Sequence, residues 1–137
     1  MSINAYHSYL ENKVLGASPM ELVQILYDAA IDATRVAERC LAAGDIEGRS
    51  RQIGRVQAML CELSSSLDRE AGGDLAVRLA RLYDYMQLKL TEANVNQTLG
   101  PIVEVRGLLA TLAGAWREAV PMPPGAPVGQ PAAVPAW

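Results

Sequence analysis

Ser18-Pro19-Met20-Glu21-Leu22 opens a run that continues without a break to Ala43-Gly44, and residues 18 to 44 carry a start signal, a period and a stop signal together. Serine is a favoured N-cap, and proline at the first helical position loses only an N–H that has no partner there. Glutamate three residues after the serine completes a capping box. Leu22, Leu26, Ala29, Ala33, Val36 and Cys40 then recur at spacings of three and four, the repeat of one helical face. Gly44 supplies the left-handed backbone that ends a helix. The stretch predicts an amphipathic helix from Pro19 to about Ala43.

The same logic extends along the chain. Asp45 caps a second helix with Ile46, Ile53, Val56, Leu60, Leu63 and Leu67 on one face, and Leu67 with Asp68 belong to its closing end before a Gly72-Gly73 turn. A third helix is expected over roughly 74 to 95, with Leu75, Leu79, Leu82, Tyr83, Met86, Leu90 and Ala93 inward. It stops in Asn94-Val95-Asn96-Gln97, where asparagines favour turns. Pro101 is tolerated only in a first turn, so a fourth helix starts between 98 and 101 and repeats Ile102, Val105, Leu109, Leu112, Trp116 and Ala119. Short connections between four amphipathic helices predict an all-α, antiparallel four-helix bundle over residues 18 to 120.

The flanks differ from the bundle. In residues 1–17, Ile3, Tyr6, Tyr9, Leu10 and Val14 recur at helical steps, which predicts a short N-terminal helical segment packed on the bundle as a cap. Residues 121–137 hold six prolines, two glycines and no charge, and read as a flexible tail. The chain has 137 residues and a net charge of −3, so no field draws it to nucleic acid. With no signal peptide at its start and no long apolar run, a cytosolic protein is expected, without membrane insertion. Arg49, Arg51 and Arg55 read as a solvated helix face, and Cys40 and Cys61 as small buried hydrophobes rather than a disulfide or zinc pair.

Chemistry finds little support. The single histidine, His7, lies outside the four bundle helices, so no Glu-x-x-His metal pair can form there, and neither cysteine nor Ser64-Ser65-Ser66 has a base in sequence reach. No enzyme, cofactor or metal is expected. The informative feature is surplus apolar surface. Val77, Leu88 and Val95 fall on the third helix opposite its core stripe, and Val23, Tyr27 and Ile31 fall on a flank of the first helix away from Leu22, Ala29 and Ala33. Helices with more apolar surface than their own bundle can hide usually meet a partner. Leu26-Tyr27-Asp28 recurs as Leu82-Tyr83-Asp84, placing a tyrosine beside each core stripe, and Tyr83 and Asn94 are candidate polar handles at the ends of a groove. Gly107 and Gly114 on the outer side of the fourth helix read either as a close-approach site or as tolerated weakness.

These residues also carry a family pattern. Tyr6-His7-Ser8-Tyr9-Leu10-Glu11-Asn12, Ala17-Ser18-Pro19-Met20-Glu21-Leu22, Leu26-Tyr27-Asp28-Ala29-Ala30-Ile31, Ser66-Leu67-Asp68 with Gly72-Gly73, Leu82-Tyr83-Asp84-Tyr85-Met86, Ala93-Asn94 and Trp116 closely resemble the flagellin-export chaperone family, FliS. The resemblance covers about residues 3 to 120. Ala29 stands where the family usually has glycine, the turn from Asn96 to Pro101 is richer in helix breakers, and the Pro-rich tail has no counterpart. The resemblance implies a cytosolic chaperone that binds the disordered C-terminal segment of flagellin one to one, prevents premature polymerisation and delivers it to the flagellar type III export apparatus. It also implies a client groove, here expected at Val23, Tyr27, Ile31, Val77, Tyr83, Leu88, Asn94 and Val95, with Tyr6 and Tyr9 as a displaceable cover. A generic helical adaptor or regulator using the same seams on another amphipathic helix is the alternative.

Overall fold

The computed structural model describes residues 16 and 18–119, and every regular element among them is helical. In order these are α1 (Pro19–Ala43), α2 (Ile46–Ser65), α3 (Arg69–Asn96) and α4 (Gly100–Ala119). Each packs antiparallel on its chain neighbour, and α4 closes the ring by packing on α1, so that α1 and α3 face each other across the diagonal. The N-terminal cap segment and the tail lie outside the described residues.

Local chemistry sets the helix ends. Ser18 Oγ accepts the Glu21 N–H at 3.2 Å, and Gly44 at φ 71° turns the chain so that its own N–H and that of Asp45 satisfy the carbonyls of Leu41 and Cys40. The Asp45 carboxylate accepts the Gly48 N–H at 2.9 Å and starts α2. Asp68 does not close α2: its carboxylate accepts the N–H groups of Glu70 and Ala71 and starts α3 at Arg69, a turn earlier than the sequence pattern suggests. The helix then bends at Gly73, whose φ of 52° and ψ of −131° suit only a residue without Cβ. The diglycine is thus a kink inside α3 rather than a turn before it.

The core is one cluster that includes Tyr27, Ala30, Ile53, Val56, Leu60, Leu63, Ala76, Tyr83, Met86, Leu90, Ile102, Val105, Leu109, Ala113 and Trp116. Three residues read as core are exposed instead: Ile46 at 57% and Ala119 at element ends, and Leu75 at 50% just after the Gly73 kink. The larger correction is in α1. Val23, Tyr27 and Ile31, expected on an outward flank, belong to the core, while Leu22, Leu26, Val36 and Cys40 are only half-buried. Ala29, Ala30, Ala33 and Ala37 are all buried too, so α1 is enclosed on more than half its circumference by α2 and α4. A helix apolar on adjacent faces has no preferred register until its neighbours are in place, and the small alanines let both approach closely.

Polar ties fix the register. Trp116 Nε1 donates to the Met20 carbonyl at 3.0 Å, joining the end of α4 to the start of α1, and Arg106 Nη2 pairs with Glu38 Oε1 at 2.7 Å between the same helices. Arg49, expected on a solvated face, is buried; its Nε donates to Asn94 Oδ1 at 3.1 Å and its Nη2 to the Asn94 carbonyl. Buried charge persists only where hydrogen bonds replace water, and here the last turn of α3 supplies them. Arg51 does lie on the surface, paired with Glu47 at 3.6 Å. Cys40 is half-buried and Cys61 exposed, both as free thiols, so the expectation of two buried cysteines fails on the α2 surface.

Candidate functional site

The two tyrosines of the repeated Leu-Tyr-Asp tripeptide meet. Tyr27 Oη on α1 and Tyr83 Oη on α3 lie 2.6 Å apart across the bundle diagonal, each side chain 1% exposed. Desolvation pushes the Tyr27 hydroxyl up to about 12 even though the Tyr83 hydrogen bond pulls it down. Burial raises Tyr83 as well, and its proximity to Tyr27 raises it further. Both phenols therefore stay neutral at any physiological pH, and the pair serves as a hydrogen-bonded strut between helices that otherwise scarcely touch.

Tyr83 has a second exposure to function. Together with Leu60, Cys61, Ser64, Ser65, Asp84 and Gln87 it lines a groove of about 270 Å³ between α2 and α3. Gln87 Nε2 bridges the groove to the Gln57 carbonyl at 2.9 Å, and Gln57 Nε2 donates to Thr91 Oγ1 at 3.1 Å, so its upper wall is a polar seam. The face of α3 beyond this groove is open and carries three apolar side chains, separated by exposed Arg81, Asp84 and Glu92. Leu88 and Val95 are 72% and 71% exposed and Val77 is 37% exposed, as their position opposite the core stripe requires. Tyr85, one turn from Leu88, is also exposed; its hydroxyl donates to Glu104 and its ring lies 5.6 Å from Lys89 Nζ.

On the other side of the molecule a groove of about 440 Å³ runs between α1 and α4, lined by Asp28, Ile31, Asp32, Arg35, Ala110, Ala113 and Arg117. Its rim is charged: Arg117 Nη2 donates to Asp28 Oδ1 at 2.7 Å and Arg35 pairs with Asp32 at 3.2 Å. The asparagine expected as a groove handle is engaged internally, since Asn94 Oδ1 accepts from Arg49 and from Ser50 Oγ at 3.1 Å each. Tyr6 and Tyr9 lie outside the described residues.

The residues nominated from sequence therefore separate into sets. Val77, Leu88 and Val95 share one open face; Val23, Tyr27, Ile31 and Tyr83 are interior; Asn94 locks α2 to α3. What the sequence reading missed is the charged α1–α4 rim. The one available signal was Asp28, which repeats in the second tripeptide as Asp84, and each aspartate lines one of the two grooves beside its tyrosine's helix. Gly107 and Gly114 have open space where a Cβ would stand, which agrees with tolerated weakness rather than an approach by another helix of the bundle. Among the described residues no cluster of three metal-ligating side chains occurs, and no helix is long and apolar enough to cross a membrane.

Comparison with known proteins follows the same residues. The profile described as flagellar protein FliS matches residues 2–123. A flagellar secretion chaperone FliS of Salmonella typhimurium is 35% identical over 113 residues, covering 82% of this chain and 84% of its own length. The Bacillus subtilis protein of that name is 30% identical over 117 residues, covering 85% and 86%, and the Campylobacter jejuni one 33% identical over 114 residues, covering 83% and 89%.

Proposed function

This chain belongs to the FliS family, and from that premise we propose that it is a cytosolic flagellar secretion chaperone that holds the disordered C-terminal segment of flagellin. One chaperone binds one client, keeps it from polymerising early and delivers it to the flagellar type III export apparatus. The observation that carries the reading is the exposed apolar row on the outer face of α3, where Leu88 and Val95 stand largely in water on a helix whose other side is core. A disordered segment with apolar residues at helical spacing gains by covering such a face, and the area it covers offsets the cost of ordering it.

First contact falls on Val77, Leu88 and Val95, which need no rearrangement. Contacts at Val23 or Tyr27 require the client to open the bundle flank, Ile31 and Tyr83 are met only on the walls of their grooves, and Tyr6 and Tyr9 act as the cover it displaces. Asn94 contributes by holding the end of α3 in register. Such holding needs no nucleotide, metal or catalytic group.

Calorimetric titration with a flagellin C-terminal peptide tests this directly. One-to-one binding is expected, with Leu88→Glu weakening it by about tenfold or more at unchanged helicity. Wild-type affinity in Leu88→Glu would remove the α3 face from the site.

A further inference from the structure

We propose that residues 120–137 are an intramolecular occupant of the α3 face and compete there with the client. The competitor's identity rests on the function proposed above; the docking itself does not. The occupant is chosen by position and composition. Tyr85 and Lys89 on α3 lie against Glu104 on α4, which sets the antiparallel register of the two helices. Fifteen residues beyond Glu104, Ala119 ends α4, and this register sets it level with the first turns of α3, where Val77 begins the outer row. The following segment therefore starts at the Val77 end of α3 and has to pass around that helix to lie along its outer face.

Its reach is sufficient. Val77 to Val95 spans about 27 Å at the rise of an α-helix, and eighteen residues in an extended proline-type helix span about 56 Å, enough to round the helix as well. Its chemistry fits as well. Residues 121–137 bear no charge and carry Met122, Val128, Val134 and Trp137 among six prolines. Proline brings no N–H that would need a partner on an apolar helix face, and its stiff backbone loses little freedom on docking. Exposed Tyr85, one turn from Leu88, offers the kind of aromatic surface on which prolines stack. Tethering supplies the rest, because a linked segment acts at an effective concentration on the order of millimolar, so weak intrinsic contact occupies the face much of the time.

The full chain tests this through Trp137. Subtracting the fluorescence of Trp137→Phe from that of the unaltered protein isolates the Trp137 emission without touching Trp116 in the core. Emission blue-shifted from that of a synthetic 120–137 peptide is expected, with Leu88→Glu returning it to the peptide value while circular dichroism stays unchanged. Emission matching the free peptide, or indifferent to Leu88→Glu, overturns the docking. Competition is read separately: Val128→Asp with Val134→Asp should tighten flagellin-peptide binding about threefold, as expected if the free face rises from one third to nearly full population. Unchanged affinity alongside a docked Trp137 overturns competition. A docked Trp137 in a chain that binds no flagellin peptide defeats the client reading and leaves the tail on α3.

Discussion

Two helices of this bundle enter folding with the same surplus of apolar surface and end in opposite conditions. Val23, Tyr27 and Ile31 on α1 are drawn into the core, while Val77, Leu88 and Val95 on α3 stay outside. The difference lies in the neighbours. α1 is gripped closely along α2 and α4, with four buried alanines letting them approach, whereas α3 sits more loosely against the same two helices. The back of α3, opposite its core stripe, meets no other helix among the described residues and is left to water. The surplus on α1 has become stability, and the surplus on α3 remains available for binding.

The sharpest break of that contrast is Tyr27→Ala, which empties a fully buried aromatic site and should cost about 3–5 kcal/mol in chemical denaturation. A loss below about 1 kcal/mol would mean that α1 is not enclosed as described. Next comes Gly73→Ala. A side chain at φ 52° strains the bend that sets α3 apart, and a loss of about 1–3 kcal/mol is expected by thermal melting. Client binding at Leu88 should survive that change, since the far end of α3 does not depend on the kink.

Tyr27→Phe probes the strut alone and should cost about 1–2 kcal/mol, because the Tyr83 hydroxyl keeps its burial and loses this partner. The same pair gives a pH signature. Tyr27 holds its proton to about 12 in the folded chain while an unfolded tyrosine releases it near the ordinary value of 10.0. The unfolded state therefore binds fewer protons in that window, and stability falls as pH rises from about 10 to about 12. Tyr27→Phe should flatten the alkaline limb of a denaturation profile. The smallest expected effect is Leu88→Ser, within about 0.5 kcal/mol of the unaltered chain, since its side chain stands in water. A large loss there would place Leu88 in the fold rather than in a binding face.

Much of this was legible in residues alone. Ser18, Gly44 and Asp45 announce their helix ends because a cap is satisfied by groups within four residues, and Leu88 and Val95 could be placed outward because they lie opposite a strong core stripe. The α1 register was not legible. Its apolar residues cover adjacent faces, and one step of rotation exchanges Leu22 and Leu26 for Val23 and Tyr27 without altering the pattern. Arg49 was misread for a related reason: its partner Asn94 is 45 positions away, and no local spacing reports it.

The sequence by itself determined four amphipathic helices, the caps at Ser18, Gly44 and Asp45 and the open side of α3, since each depends on interactions a few residues long. Only the tertiary structure decided which face of α1 is interior, that the two tyrosines of a repeated tripeptide join hydroxyls across the core, and that Asp28 and Arg117 form the rim of a groove. Those outcomes rest on contacts between distant segments, whose energies exist only once the helices have met and water has left between them.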